Sequence, residues 1–474
     1  MFQPTMGTWW LADDPEVKVP GYLQVDESHA WPWRLTVLGQ LAEPEPGWDH
    51  TVTLFGQTDR GLYTLHAASP GSMRRGGGGS EPVYAVEWHA PVLFENDHVM
   101  REARFTQASF TYPHLIDWFK ARYNGYLLPS GALPKDKDWE LLHEVELSPG
   151  TTLSVALASH GHLGWASTSH AWQAQYTLSS DEGFTFTELS KIQWGLSKLQ
   201  AIMLGTDVEE TQTTLITDLE AAWVKVVEAA SPAGDEWRGV SPLFNADEVD
   251  TALFLRRWLE LSTSAPMIAA AAAPNAAVGS MPGDIQDLCN AVEWLFARID
   301  GPEERTVRPK DEAILDAMAG SAFNSDQRRR VKHLLTQSGQ VTLEQKLVRL
   351  AGMLGAESSA WMLGSVSDWA YVIARVRNSL THGFVVPGHD DVRMLGDAYL
   401  TLTAVLQLAL LNHCGYTNAR CPVPGEMLWG GGELMRGTRD AHIVDRTESL
   451  AARSDEWALW ARSMREAAAG HTDR

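Results

Sequence analysis

The chain reads as an α+β protein, a β-rich, antiparallel sheet- or barrel-like N-terminal region followed by an all-α bundle. Three observations predict this. From Trp9 to about Glu182, short runs rich in β-branched and aromatic residues are broken by Gly, Pro and Asp, the pattern of antiparallel strands joined by turns. After Asp284 the apolar residues recur every three or four positions, the period of amphipathic helices. A length of 474 residues exceeds one ordinary domain, so the two patterns are assigned to separate domains, 1–235 and 243–418, with an extension over 419–474.

In chain order, the strand-like runs are Tyr22–Val25, Trp33–Leu41, Thr51–Phe55, Leu62–His66, Val83–Leu93, Arg104–Tyr112, Glu140–Leu147 and Thr152–Leu157. Arg74–Ser80 reads as a Gly-rich loop, and no Gly-Lys-Ser/Thr follows that would make it a phosphate cradle. Leu189–Leu204 is helical, and Thr213–Thr217 and Trp223–Val227 return to strand. Asn245 is placed to cap a helix through Leu253, Leu255, Trp258 and Leu261. Pro266–Pro282, Ala-rich and bracketed by prolines, reads as irregular. Ile285, Leu288, Val292, Leu295 and Ile299 then mark one helix face, followed by helices over Lys310–Ala322, Ser325–Gln337, Leu343–Leu354, Asp391–Cys414 and Arg446–Ala469.

The formal charge of −22 argues against broad coating of nucleic acid, though not against a local basic groove. The first residues lack a basic segment followed by an apolar run, so no secretory leader is expected. The apolar run Ala398–Leu411 is interrupted by Thr and Gln and too short to cross a bilayer, which predicts a buried helix and no membrane partner. Three cysteines, Cys289, Cys414 and Cys421, fit reduced thiols in a cytoplasm.

The chemistry-bearing stretch is Asp368–Gly383. Ser367 can serve as N-cap, Asp368 suits the positive end of a helix, and Gly383 suits its stop. At about 100° per residue, Trp369, Val372, Ile373, Val376 and Leu380 share one apolar stripe. Asn378 and His382 point away from it, Tyr371 and Arg375 share their side, and Arg377 sits on the flank. Arg377-Asn378-Ser-Leu-Thr-His382-Gly383 resembles the signature of HEPN ribonucleases, and its Arg-Asn opening and His-Gly close are similar to the ApeA branch of bacterial anti-phage HEPN proteins. Spacing alone is not specific: Arg328 to His333, Arg60 to His66 and Arg375 to His382 also meet it, so either Arg375 or Arg377 is the motif arginine. Val19-Pro-Gly-Tyr-Leu and Leu115-Ile-Asp-Trp-Phe resemble, more loosely, the ApeA N-terminal domain. Trp258, then an Ala-Val-Glu-Trp helix, then Arg-Asn…His-Gly follows the ApeA-like order.

The resemblance implies a metal-independent endoribonuclease of abortive anti-phage defence, using no cofactor and acting on structured RNA such as tRNA. It implies catalysis by Arg377, Asn378 and His382 at a composite site in a homodimer or larger homo-oligomer, with the N-terminal domain sensing a phage-encoded trigger. An imidazole can move protons near neutrality and a guanidinium fork matches phosphate oxygens. Glu293 is a secondary candidate, as catalytic part or as a structural ion pair with the motif arginine. Arg328, Arg329, Arg330 and Lys332 are either a solvated helix face or a guide for RNA phosphates. His160, His162 and His170 could ligate zinc, but no fourth ligand is evident. Two other readings stand beside the nuclease: a catalytically inactive HEPN module that binds a nucleotide or partner, and a ligand-binding sheet domain built on Trp9, Trp10, Trp31, Trp33, Trp48 and Trp88.

Overall fold

The computed structural model describes residues 4–26, 31–41, 51–76, 83–112, 115–119, 139–164, 167–204, 212–217, 223–227, 244, 246–273, 281–299, 314, 316–317, 324–338, 341–382, 392–416 and 446–470. The chain forms two compact units, one of 1–200 with 208–259 and the other of 201–207 with 260–474.

The first unit is antiparallel throughout. Its strands are β1 (Thr5–Leu11), β2 (Asp14–Val25), β3 (Trp33–Leu38), β4 (Val52–Thr58), β5 (Gly61–Gly76), β6 (Val83–Ala90), β7 (Val92–Glu95), β8 (Arg104–Thr111), β9 (Trp139–Ser148), β10 (Thr151–Gly164), β11 (Ser167–Thr185), β12 (Gln212–Thr217) and β13 (Trp223–Val227). Six of them close a barrel in the order β4-β1-β2-β3-β6-β5, because β5 also pairs with β4. β5 pairs with β4 over Gly61–Ala68 and with β6 over Ser69–Gly76. Ala67, at a left-handed φ of 53°, sits at the changeover.

The expected run Val83–Leu93 follows one edge of β5 but parts into two strands around Pro91, which has no N–H to give a ladder. Before it, β6 pairs with β3 inside the barrel; after it, β7 pairs with β13. There the sheet leaves the barrel and continues β7-β13-β12-β8-β11-β10-β9. The Gly-rich segment expected from Arg74 is strand as far as Gly76, and 77–80 lie outside the described residues.

Alternation puts Trp9, Trp33, Leu35, Leu54, Leu65 and Trp88 inside the barrel, all essentially buried. Trp9 is the plug. A Cβ on Gly56 would meet its ring at 2.3 Å, and one on Gly21 would meet it at 2.7 Å, so both strands need glycine for the indole to fit. Trp10 lies against Phe55 and His98 and is also buried. Four of the six tryptophans suggestive of a ligand platform are therefore packing; Trp31 is half-buried and Trp48 lies outside the described residues.

On the second part of the sheet lies the helix α2 (Phe186–Leu204), after the short α1 (Leu115–Trp118). Tyr112 Oη donates to Gln193 O at 2.6 Å and Gln193 Nε2 donates to Thr213 Oγ1 at 2.8 Å, so Gln193 ties this helix to β12 and to Tyr112.

The helical unit follows α3 (Thr251–Ser264) and comprises α4 (Pro266–Ala272), α5 (Met281–Ile299), α6 (Ser325–Ser338), α7 (Leu343–Gly352), α8 (Ala356–Leu363), α9 (Val366–His382), α10 (Val392–Cys414) and α11 (Arg446–Gly470). Asp250, whose Oδ1 accepts from Leu253 N at 3.1 Å, caps α3; Asn245 lies outside the described residues. The irregular loop expected from Pro266 to Pro282 is corrected at both ends, where Pro266 starts α4 and Pro282 lies in the first turn of α5; 274–280 lie outside the described residues. Proline at a helix start loses no hydrogen bond, so it opens these helices rather than breaking them. The helix expected over Lys310–Ala322 lies mostly outside the described residues.

α10 holds the bundle together. Its stretch Met394–Cys414, 21 residues, is long and apolar enough to cross a bilayer, longer than the run read from sequence, yet most of it is buried within the protein. Gln407 Nε2 donates to Ala272 O at 2.7 Å and Asn412 Nδ2 to Met353 O at 3.0 Å, pinning α4 and the end of α7.

Candidate active site

α9 carries the motif and packs against α5, α7, α8 and α11. It begins two residues earlier than the expected cap implied. Ser365, not Ser367, is the N-cap: Asp368 N donates to Ser365 Oγ at 3.3 Å, and Ser365 Oγ donates to Asp368 Oδ2 at 2.8 Å. Trp369, Val372, Ile373 and Val376 are buried as their spacing predicted, while Leu380 is half-buried. Trp369 Nε1 donates to Thr401 Oγ1 at 3.0 Å, and Thr401 Oγ1 donates on to Asp397 O at 2.6 Å. This chain of hydrogen bonds sets α9 against α10.

With that stripe buried, Arg377 lies on the flank, half-buried. Its Nη2 is 3.7 Å from Glu293 Oε2 and its Nη1 donates to Asn378 Oδ1 at 3.4 Å. Both are long contacts, so the guanidinium is oriented without being saturated. Glu293 comes from α5, whose Ile285, Leu288, Cys289, Val292 and Leu295 are buried. Cys289, one turn before Glu293, was read from sequence only as a reduced thiol, and it is free and buried. Burial, aided by Glu293 and opposed by Arg377, pushes its thiol up to about 12. Buried and neutral, it is not a nucleophile.

Arg375 is placed differently. It is exposed, with Cζ 5.3 Å over the Tyr371 ring. Arg465 of α11 lies over the same ring at 4.6 Å, and its Nη2 meets Asp368 Oδ1 at 2.8 Å. α11 itself docks through Trp457, Ala461 and Met464, buried at a spacing of four and three that the sequence displays without naming its partner. Burial alone would raise the Asp368 carboxyl, but hydrogen bonds from Ser365 and Arg465 and the Arg465 charge outweigh it and hold it below the usual range. A depressed carboxyl contributes stability above its unfolded value of about 4, lost as pH falls through the folded value. Hydrogen exchange in 446–470, corrected for intrinsic rates, should therefore be faster at pH 3 than at pH 6. Equal protection at both would remove this pair from the docking of α11.

Arg328, Arg329 and Arg330 are exposed on α6, where Arg329 pairs with Asp326 at 3.3 Å. The side chains of Lys332 and His382 lie outside the described residues, although the α9 backbone is described as far as His382. The β10–β11 register sets His170 opposite Gly161, out of phase with His160 and His162, whose side chains also lie outside the description. The structure thus brings Arg377, Asn378 and Glu293 together, while Arg375 lies over Tyr371.

Two family models match the chain. ApeA N-terminal domain 1 matches residues 5–227, from β1 to the end of β13, and Apea-like HEPN matches residues 287–420, which include Glu293, α9 and α10. No curated protein and no solved structure matches. With both of these domains in one polypeptide, the chain belongs to the ApeA-like HEPN family, a family of anti-phage HEPN nucleases.

Proposed function

We propose that the chain is a metal-independent endoribonuclease that acts in abortive anti-phage defence, with Arg377, Asn378 and His382 as its reacting set. The observation that carries this reading is that α9 buries its apolar stripe in its own bundle and leaves Arg377 unsaturated between Asn378 and Glu293. In the proposed reaction a ribose 2′-OH attacks the adjacent phosphorus, one imidazole accepts its proton, and a second imidazole protonates the departing 5′-oxygen. Arg377 neutralises the charge gathering on the phosphorane, and Asn378 holds an oxygen or the imidazole. One His382 per chain is one proton-transfer group short, so a two-fold homodimer supplies the other. The products are a 2′,3′-cyclic phosphate and a 5′-OH end, and no step calls for a metal.

An unrestrained ribonuclease is toxic to its host, which gives the N-terminal barrel domain a restraining role until a phage component is sensed. Cytoplasmic structured RNA, tRNA among it, is the proposed substrate. The test is induction of wild type and His382→Ala in cells under phage challenge, with sequencing of RNA 5′-OH ends. Wild type is expected to arrest growth and accumulate such ends, and His382→Ala to do neither. If neither does so, the reading is overturned in favour of an inactive nucleotide- or partner-binding module, and if both do, His382 is not in the reacting set. Cleavage abolished by a chelator would turn attention to His160 and His162.

A further inference from the structure

Tyr371, Arg375, Asn378 and His382 occupy positions four, three and four apart on α9, so they form one stripe along the helix, roughly 16 Å from first to last. At its far end two guanidinium groups gather over one ring, Arg375 at 5.3 Å and Arg465 at 4.6 Å. Asp368 pairs with Arg465; among the described residues no carboxylate pairs with Arg375. Two cations against one carboxylate leave a surplus of one positive charge in a chain whose net charge is −22. Like charges held this close need an aromatic face between or beneath them and are relieved by an anion. Arg375 is exposed and Arg465 is half-exposed, so both can reach a ligand from solvent. An Arg–Tyr platform beside a helix that leads to a phosphodiester site has the chemistry of single-strand binding.

We propose that Arg375 and Arg465, gathered on Tyr371, hold the sugar–phosphate backbone of an RNA strand a few nucleotides from the scissile bond. This rests on the ribonuclease reading and assigns Arg375 to substrate binding, leaving the chemistry to Arg377. It also gives α11 a part in the substrate track, since Arg465 comes from it.

The experiment uses the full-length protein, activated as for cleavage, with an RNA octamer and a dinucleotide as substrates. Arg375→Gln is expected to raise KM for the octamer about tenfold with kcat within about twofold, and to leave the dinucleotide unchanged. In a His382→Ala background, the octamer should bind Arg375→Gln about tenfold more weakly, with a salt slope reduced by about one. Arg375→Lys should recover part of the loss, because charge without the fork still attracts phosphate. A fall in kcat, an equal effect on the dinucleotide, or unchanged octamer binding would each overturn the proposal. Arg375 is exposed, so its variant is expected to melt with wild type. If the wild type does not cleave, the ribonuclease reading fails, while the binding comparison still decides whether Arg375 contacts RNA.

Discussion

Arg377→Ala is expected to lower kcat for RNA cleavage by roughly 10²–10³, the cost of removing one preorganised donor from a developing oxyanion. The size follows from its setting. Arg377 is half-buried, and Glu293 at 3.7 Å and Asn378 at 3.4 Å orient it without using up its donors. Glu293→Gln should cost less, on the order of tenfold, because it loosens the guanidinium without removing it. Arg377→Lys keeps the charge, loses the fork, and should fall between the two. The melting temperature should barely move in any of the three, since Glu293 is partly solvated and tolerates losing its partner. The measurement is single-turnover cleavage by the activated protein, with a thermal melt alongside. An Arg377→Ala enzyme within threefold of wild type would place the chemistry elsewhere, Arg375 being the first alternative.

The separation of those two arginines shows where sequence reading reaches its limit. Both satisfy the spacing to His382, and periodicity puts Arg375 nearer the Asn378 side of the helix. Their difference comes from residues distant in sequence: Glu293 on α5 reaches Arg377, and Arg465 on α11 shares Tyr371 with Arg375. The apolar stripe of α9 was legible because burial follows a local period, and Trp369, Val372, Ile373 and Val376 are buried accordingly. The strands between Tyr22 and Leu157 were legible for the same reason. Closure into a barrel was not, because it depends on β5 exchanging β4 for β6 halfway along its length, a pairing choice that alternation does not encode. α4 was misread because Pro266 was weighed as a breaker instead of a first-turn residue, and α8 was not read as an element at all.

Trp369→Ala is expected to destabilise the helical unit by about 3–5 kcal/mol, the range for deleting a buried aromatic side chain. That corresponds to a fall in Tm on the order of 10 °C for a unit of this size. The indole is fully buried, and its N–H satisfies Thr401 Oγ1, which in turn donates to Asp397 O. Its removal opens a cavity between α9 and α10 and leaves that polar chain one donor short. Trp369→Phe restores most of the volume but not the donor, and should cost about 1–3 kcal/mol. Because the same helix carries Arg377 and Asn378, Trp369→Ala should also depress cleavage, but through the position of α9. The two kinds of loss are separable: hydrogen exchange across 366–382 and 392–414 should rise in Trp369→Ala and remain at wild-type levels in Arg377→Ala. A Trp369→Ala protein that melts within about 2 °C of wild type would mean that α9 is held by its other neighbours, and that the geometry at Arg377 does not depend on this indole.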